Sequence, residues 1–216
     1  KTCFWTGGDI LNLQRNYRGN RFWRRVLPKI RARHICENEV EAEALYGMNI
    51  KAEIHPMTFE DPSELETSFK PGKRMHVYMT SCKDREDEYG VKLIEDIAFA
   101  FPEITFHFYG VYGASRNNLI FHGVVPNNRF NREIKKYHCA LRMNKFDGFA
   151  ETLAKSVLMG QYPISYGIYY PHIEYAPSLS SLIKSLRGLK KNKKPNLIAQ
   201  KYWADRLEKS LCSILS

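Results

Sequence analysis

The segment DGFAETLAKSVLMGQYPIS, from Asp147 to Ser165, holds the residues best spaced for chemistry. Asp147-Gly148-Phe149 reads as a tight turn at the carboxyl end of a strand, and Glu151 and Thr152 can open the helix that follows. The first backbone N–H groups of such a helix, those of Thr152 and Leu153 among them, find no acceptor inside it and suit a phosphate. Eight residues after Asp147 comes Lys155, about two helical turns on and nearly on the same face. An ordinary strand-to-helix unit with a glycine turn explains the same composition equally well.

Other candidates are weaker. KDREDE, Lys83 to Glu88, could hold a divalent cation, but mixed charge ahead of a helix more often forms a solvated loop, so no metal site is assigned. The sequence has no G-x-x-x-x-G-K-[ST] loop, no G-x-G-x-x-G, no H-E-x-x-H and no G-x-S-x-G. These absences count against NTPase, zinc-protease and serine-hydrolase chemistry.

The elements that must position the Asp147 segment follow from periodicity. TCFW predicts a strand ending at Thr6-Gly7-Gly8, followed by a basic helix; RARHIC predicts a strand, ENEVEAEALYG a helix closed by Gly47, and KAEIHP a strand stopped by Pro56. A loop carrying Pro62 and Pro71-Gly72 is the expected linker. Beyond it MHVYMTS, ITFHFYG, LIFHGVV, CALRM and YPISYG read as strands. GVKLIEDIAFAFP, NRFNREIKKYH and ETLAKSVLMG read as the helices between them, with Leu93, Ile94, Ile97 and Phe101 on one stripe of the first. Strands alternating with helices imply a parallel sheet covered on both faces, which binds ligands beyond the carboxyl ends of its strands. A last helix is expected over Asn196 to Leu215, with Trp203, Leu207, Leu211 and Leu215 at fourfold spacing.

At 216 residues, 44% of them hydrophobic, the chain can bury one large core or two small ones. No stretch approaches the roughly 18 apolar residues of a membrane span, and the first residues lack the order of a signal peptide. Five cysteines without a close pair (Cys3, Cys36, Cys82, Cys139, Cys212) indicate neither a disulfide framework nor a zinc knuckle, so a reducing, cytoplasmic setting is expected. Because the sequence opens on Lys1 and not on Met, further native residues ahead of it are an expectation.

The formal charge of +10 is concentrated. Residues 1–34 carry nine basic groups against the single acid Asp9, while residues 187–201 carry six and no acid, which leaves the remainder at −4. Two basic segments on a mildly acidic body attract phosphate in nucleic acid, anionic lipid or a nucleotide. Within residues 15–33, Phe22, Trp23, Val26 and Leu27 beside Arg21, Arg24 and Arg25 would form an amphipathic helix suited to a headgroup layer or to a second lobe.

The Asp147 segment resembles the donor-site motif of retaining group 1 glycosyltransferases of the GT-B type. That motif runs acid-Gly-Phe-Gly, has a second Glu eight residues after the first acid, and continues to small-apolar-Gly-x-Pro-Val. Asp147-Gly148-Phe149-Ala150 is similar to its opening, Gly160 to its later glycine, and Pro163-Ile164 to its close with one residue inserted. The likeness runs in order from about His76 to Ser165, while WTGGDI, Trp5 to Ile10, resembles the family's W-x-G-x-D element more loosely. The chain departs from the family at Lys155, which replaces the second glutamate, and at Tyr89, which replaces a lysine before Gly90.

The resemblance implies an α/β fold: a reduced N-terminal lobe over residues 1–72, a Rossmann-like donor domain over 73–195, and a C-terminal helix, 196–216, packing back on the first lobe. It implies retaining, metal-independent sugar transfer from a nucleotide-sugar, with no cofactor. Asp147 would hold hydroxyls of the sugar. Gly148, Phe149, Thr152, Leu153 and Lys155, with Lys83 or Arg85, would hold the donor. Gly7, Gly8 and Asp9 would form an acceptor or phosphate loop where the backbone approaches the reacting sugar. Lys155 would reach a phosphate oxygen or pair with Asp147. Residues 15–33 and 187–201 would meet an anionic membrane surface. A catalytically weak sugar-nucleotide-binding module stands as the alternative, and a nucleic-acid-binding protein as the third and least favoured reading.

Overall fold

The computed structural model describes residues 1–19, 21–58, 65–70 and 72–215. The expected linker around Pro62 and Pro71 therefore lies outside the described residues, as do the side chains of Arg18, Arg21, Trp23 and Arg24. The chain divides into two compact units. The first comprises Lys1–Phe59, Phe146–Ala150 and Asp205–Ser216; the second comprises Glu60–Lys145 and Glu151–Ala204.

The first unit is built on three parallel strands, β1 (Thr2–Phe4), β2 (Arg33–Cys36) and β3 (Glu53–Ile54), in that order. Helices α1 (Gly7–Gly19) and α2 (Arg21–Val26) join β1 to β2, and α3 (Glu39–Tyr46) joins β2 to β3. Thr6-Gly7-Gly8 does not form a loop as expected: Gly7 and Gly8 are the first turn of α1, and the Thr6 hydroxyl donates to Asp9 Oδ2 at 2.8 Å. An acid in the first turn offsets the positive end of the helix, which is why the turn closes there. Ile10, Tyr17, Leu27, Leu45, Met48 and Ile50 form the core.

The second unit carries a six-stranded parallel sheet. Its strands are β4 (Met75–Thr80), β5 (Ile104–Tyr109), β6 (Leu119–Gly123), β7 (Cys139–Arg142), β8 (Ile164–Ser165) and β9 (Glu174–Tyr175), arranged β6-β5-β4-β7-β8-β9. The order runs outward from β4 in both directions, so the switch point lies between β4 and β7, as in doubly wound nucleotide-binding sheets. Helices α4 (Val91–Ala98), α5 (Asn127–Ile134) and α6 (Glu151–Leu158) are the crossovers. All six residues of β5 are buried, because both faces of the sheet are covered.

Some expectations need correcting. Helix α4 stops at Ala98, so Phe101 is buried from the following turn and not from the helix stripe. Residues 168–195, to which the sequence assigns no element, supply β9 and a helix α7 (Leu179–Gly188) whose cap is a reciprocal Ser178–Ser181 pair. The last helix, α8 (Leu197–Leu215), buries Trp203 and Leu207, but Leu211 is 57% and Leu215 78% exposed. Its apolar stripe thus seals a core over only the first half. The part from Asp205 onward belongs to the first unit, where Arg33 donates to Ser213 O at 2.7 Å. Among the described residues no helix is long and apolar enough to cross a membrane.

Candidate functional site

In the second unit a cleft of about 290 Å³ opens at the carboxyl ends of the strands. Thr80-Ser81 at the end of β4, Tyr109-Gly110 at the end of β5, and Glu151, Thr152 and Lys155 of α6 line it. The Thr80 and Thr152 hydroxyls meet at 2.9 Å, which ties the end of β4 to the first turn of α6. Gly110 has φ +80°, and a Cβ there would collide with Ser81 O, so a glycine is required where β4 and β5 close the floor. Tyr109 OH bridges Tyr137 OH at 2.8 Å and Glu133 Oε2 at 2.7 Å. The two bonds hold the phenol rigidly in the wall.

Lys155 is the unusual member of this wall, because it is only 3% exposed. Its Nζ donates to Asn131 Oδ1 at 2.8 Å and lies 5.2 Å from the Phe130 ring centroid. The Lys155 side chain thus brings its Nζ to the cleft wall against an amide oxygen and an aromatic face. The cleft therefore joins a helix N-terminus, two hydroxyls and one cation at the switch point of a parallel sheet. Such a lining suits a phosphate-bearing ligand.

In the first unit the Asp147 turn sits among carboxylates. Asn38 Nδ2 donates to Asp147 O at 2.6 Å, and Asn38 Oδ1 caps α3 by accepting from Glu41 N at 3.0 Å. Glu41 is fully buried; its Oε2 accepts from Glu37 N at 2.8 Å, while its Oε1 has no partner. Burial, with Asp147 and Asp9 nearby, pushes the Glu41 carboxyl up to about 7. Burial and the neighbouring Glu41 push Glu37 up to about 8. A Cβ on Gly148 would displace the Glu37 carboxylate, the far end of a flexible side chain. A Cβ on Gly7 would come within 3.1 Å of Asp147 Cα. Close backbone approach is thus the use of Gly7, and Asp147 is what it approaches.

No protein-family model and no curated protein matches the sequence. Solved structures do match. HepE of Anabaena, in complex with UDP and glucose, superposes with a TM-score of 0.63 at 11% identity over 99% of this chain and 70% of its own. The lipopolysaccharide outer core galactosyltransferase WaaB, in apo form, gives 0.59 at 15% identity over 84% and 62%. A variant of TarM from S. aureus, in complex with fondaparinux, alpha-GlcNAc-glycerol and UDP, gives 0.53 at 11% identity. This chain spans 40% of the length of that TarM. WaaG, a glycosyltransferase involved in lipopolysaccharide biosynthesis, also matches at 0.53. The chain has the GT-B fold.

Within this GT-B fold the second unit gathers Thr152 and Lys155 on the cleft. Leu153, the residue after Thr152, is buried in the core and is not among the lining residues. Lys83 and Arg85 are not among the lining residues; Arg85 is forked onto Glu88 at 2.6 Å. Arg142, at the end of β7, lies 4.6 Å over the ring of Tyr89, the residue that stands where the family tends to have lysine. Asp147, Gly148 and Phe149 belong to the first unit, together with Gly7, Gly8 and Asp9. Asp9 is exposed and is engaged by Thr6.

Sequence reasoning missed Thr80, Ser81, Tyr109, Gly110 and Asn131, and also Asn38, Glu37 and Glu41. The first four end predicted strands of a parallel sheet, which is the signal that could have found them. The acids of ENEVEAEALYG carry no such mark, because an acidic helix start is ordinary on a surface.

Proposed function

We propose that this chain binds a nucleotide-sugar and transfers its sugar to an acceptor, with retention at the anomeric carbon and without a metal ion. The observation that carries this reading is the buried Lys155 beside the N-terminus of α6 in a switch-point cleft. The GT-B fold and the UDP in HepE support it. A departing diphosphate gains negative charge as the glycosidic bond breaks. Preoriented N–H groups and an ammonium stabilise that charge without reorganising. Asp147 would hold sugar hydroxyls, and Asn38 fixes the backbone that carries it. This chain spans 40% of the length of that TarM, so the whole protein's activity is part of the proposal.

Thermal-shift measurements with UDP, GDP, ADP and dTDP compounds test the donor site. The matching nucleotide at a hundred times its dissociation constant adds about 2.7 kcal/mol of stability. No shift with any of them at millimolar concentration removes the reading. Asp147→Asn should lower turnover by about 10- to 100-fold, the worth of one charge-assisted hydrogen bond, while nucleotide affinity stays near the wild-type value. An equal loss in both would move Asp147 to the nucleotide or to the fold.

A second reading, a nucleotide-sugar-binding module without transfer, is favoured by Lys155 standing where the family carries a carboxylate. Nucleotide binding without sugar transfer or donor hydrolysis would select it. The location proposed is cytoplasmic, with contact to an anionic membrane surface through residues 15–33 and 187–201. Phe22 is 60% exposed there, and Lys190, Lys191, Lys193 and Lys194 are all exposed.

A further inference from the structure

At the opposite, amino-terminal edge of the six-stranded sheet lies a second cavity, of about 490 Å³, with Gly72, Lys73, His138, Lys190, Asn192 and Lys193 on its wall. Its volume is in the range of ligand pockets. His138 precedes β7 and is 7% exposed. Its Nδ1 accepts the His76 backbone N–H at 3.1 Å. Burial, with the His76 ring close by, holds the imidazole below its ordinary value, so the ring is neutral near pH 7. A neutral imidazole whose Nδ1 accepts must carry its proton on Nε2. That Nε2 is buried and has no partner.

The ring cannot turn away to find one. It is gripped between the Phe69 ring, edge-on at 5.7 Å, and the His76 ring, stacked at 6.2 Å. Gly72 presents no side chain to it: a Cβ there would lie 3.7 Å from Nε2. The cations around the cavity lean the same way. Lys190 is matched by Glu103 at 2.6 Å, whereas no ion pair engages Lys73 or Lys193 among the described residues. A buried N–H donor and two unmatched ammonium groups want the same thing, a compact oxyanion.

We propose that this cavity binds a phosphate group, as a site separate from the nucleotide cleft. Lys73 and Lys193 neutralise its charge and His138 Nε2–H donates to one oxygen. The sequence placed the lysine run 187–201 on the surface as a diffuse basic patch; here two of its members face a built donor from a different part of the chain. The proposal does not depend on the nucleotide-sugar reading, because no residue lines both cavities.

The test is calorimetric titration of inorganic phosphate into the full chain, beside flotation with vesicles of phosphatidylcholine and phosphatidic acid. Two variants accompany it. Lys73→Ser/Lys193→Ser removes exposed charge with little risk to folding. His138→Asn keeps an acceptor for the His76 N–H but withdraws the Nε2 donor. The expected result is saturable binding that each variant weakens by about tenfold or more, the worth of a charge-assisted hydrogen bond. Loss of free-phosphate binding in the variants marks a soluble phosphate as the ligand, and a parallel loss of vesicle retention marks a lipid headgroup. If His138→Asn does not fold, the lysine pair decides. Absence of binding in both arms, or binding that both variants retain, or binding that Lys155→Met abolishes instead, would overturn the proposal.

Discussion

Lys155→Glu weakens nucleoside diphosphate binding by roughly 1.5 to 3 kcal/mol, about 10- to 150-fold. The ammonium is a donor only, and its 3% exposure leaves it little water to fall back on. A carboxylate in its place would point an anion at a phosphate and at the face of the Phe130 ring, which lies 5.2 Å from Nζ. Asn131 would not enforce the loss, since its amide can turn and donate to a carboxylate where it now accepts from Lys155 at 2.8 Å. Lys155→Met, which keeps the length and removes the charge, should lose about half as much free energy. Calorimetric titration of UDP into all three proteins measures this, with melting temperatures showing that each is folded. Tighter binding by the glutamate variant would sink the claim that Lys155 meets phosphate.

The first unit loses stability as pH rises from about 5 to about 8.5, and Glu41→Gln removes part of that loss, the rest being carried by Glu37. The carboxyls of Glu41 and Glu37 are raised to about 7 and about 8 in the folded chain, above an ordinary 4.5. Between those limits the folded state holds protons that the unfolded chain has released, so unfolding becomes easier with every step up in pH. The stabilising contribution is whole below about 4.5 and gone above about 8. For Glu41 the displacement is worth about 3 kcal/mol, at one unit to about 1.4 kcal/mol. Glutamine keeps an oxygen for the Glu37 N–H and needs no proton to stay neutral. Denaturant titrations across that range should show the wild type losing about 3 kcal/mol more than the variant. Equal slopes would mean that Glu41 is ionised in the folded chain.

Most elements of the chain were legible because burial imposes its period on the residues. MHVYMTS and ITFHFYG are β-rich runs, and they became β4 and β5. ENEVEAEALYG opens on acids and closes on glycine, and it became α3 with Asn38 as its cap. Helix α7 was missed because its cap is Ser178 with Ser181, without the glutamate that usually marks a capping box, and Pro171 and Pro177 precede it. Leu211 and Leu215 were misjudged for the converse reason: fourfold spacing states which face is apolar, and not whether anything covers it.

The candidate site divides along the same line. By itself the sequence determined the glycine turn at Asp147-Gly148, the helix that begins at Glu151, and a lysine two turns into it, since each depends only on neighbours along the chain. Only the tertiary structure decided that this lysine is buried against Asn131 and Phe130, and that Arg85 turns to Glu88 and not to the cleft. It alone decided that the backbone of Asp147 is held by Asn38, 109 residues earlier. Which distant side chain fills the space beside a turn is set by packing and by the demand that buried polar groups find partners. Neither leaves a local mark in the order of residues.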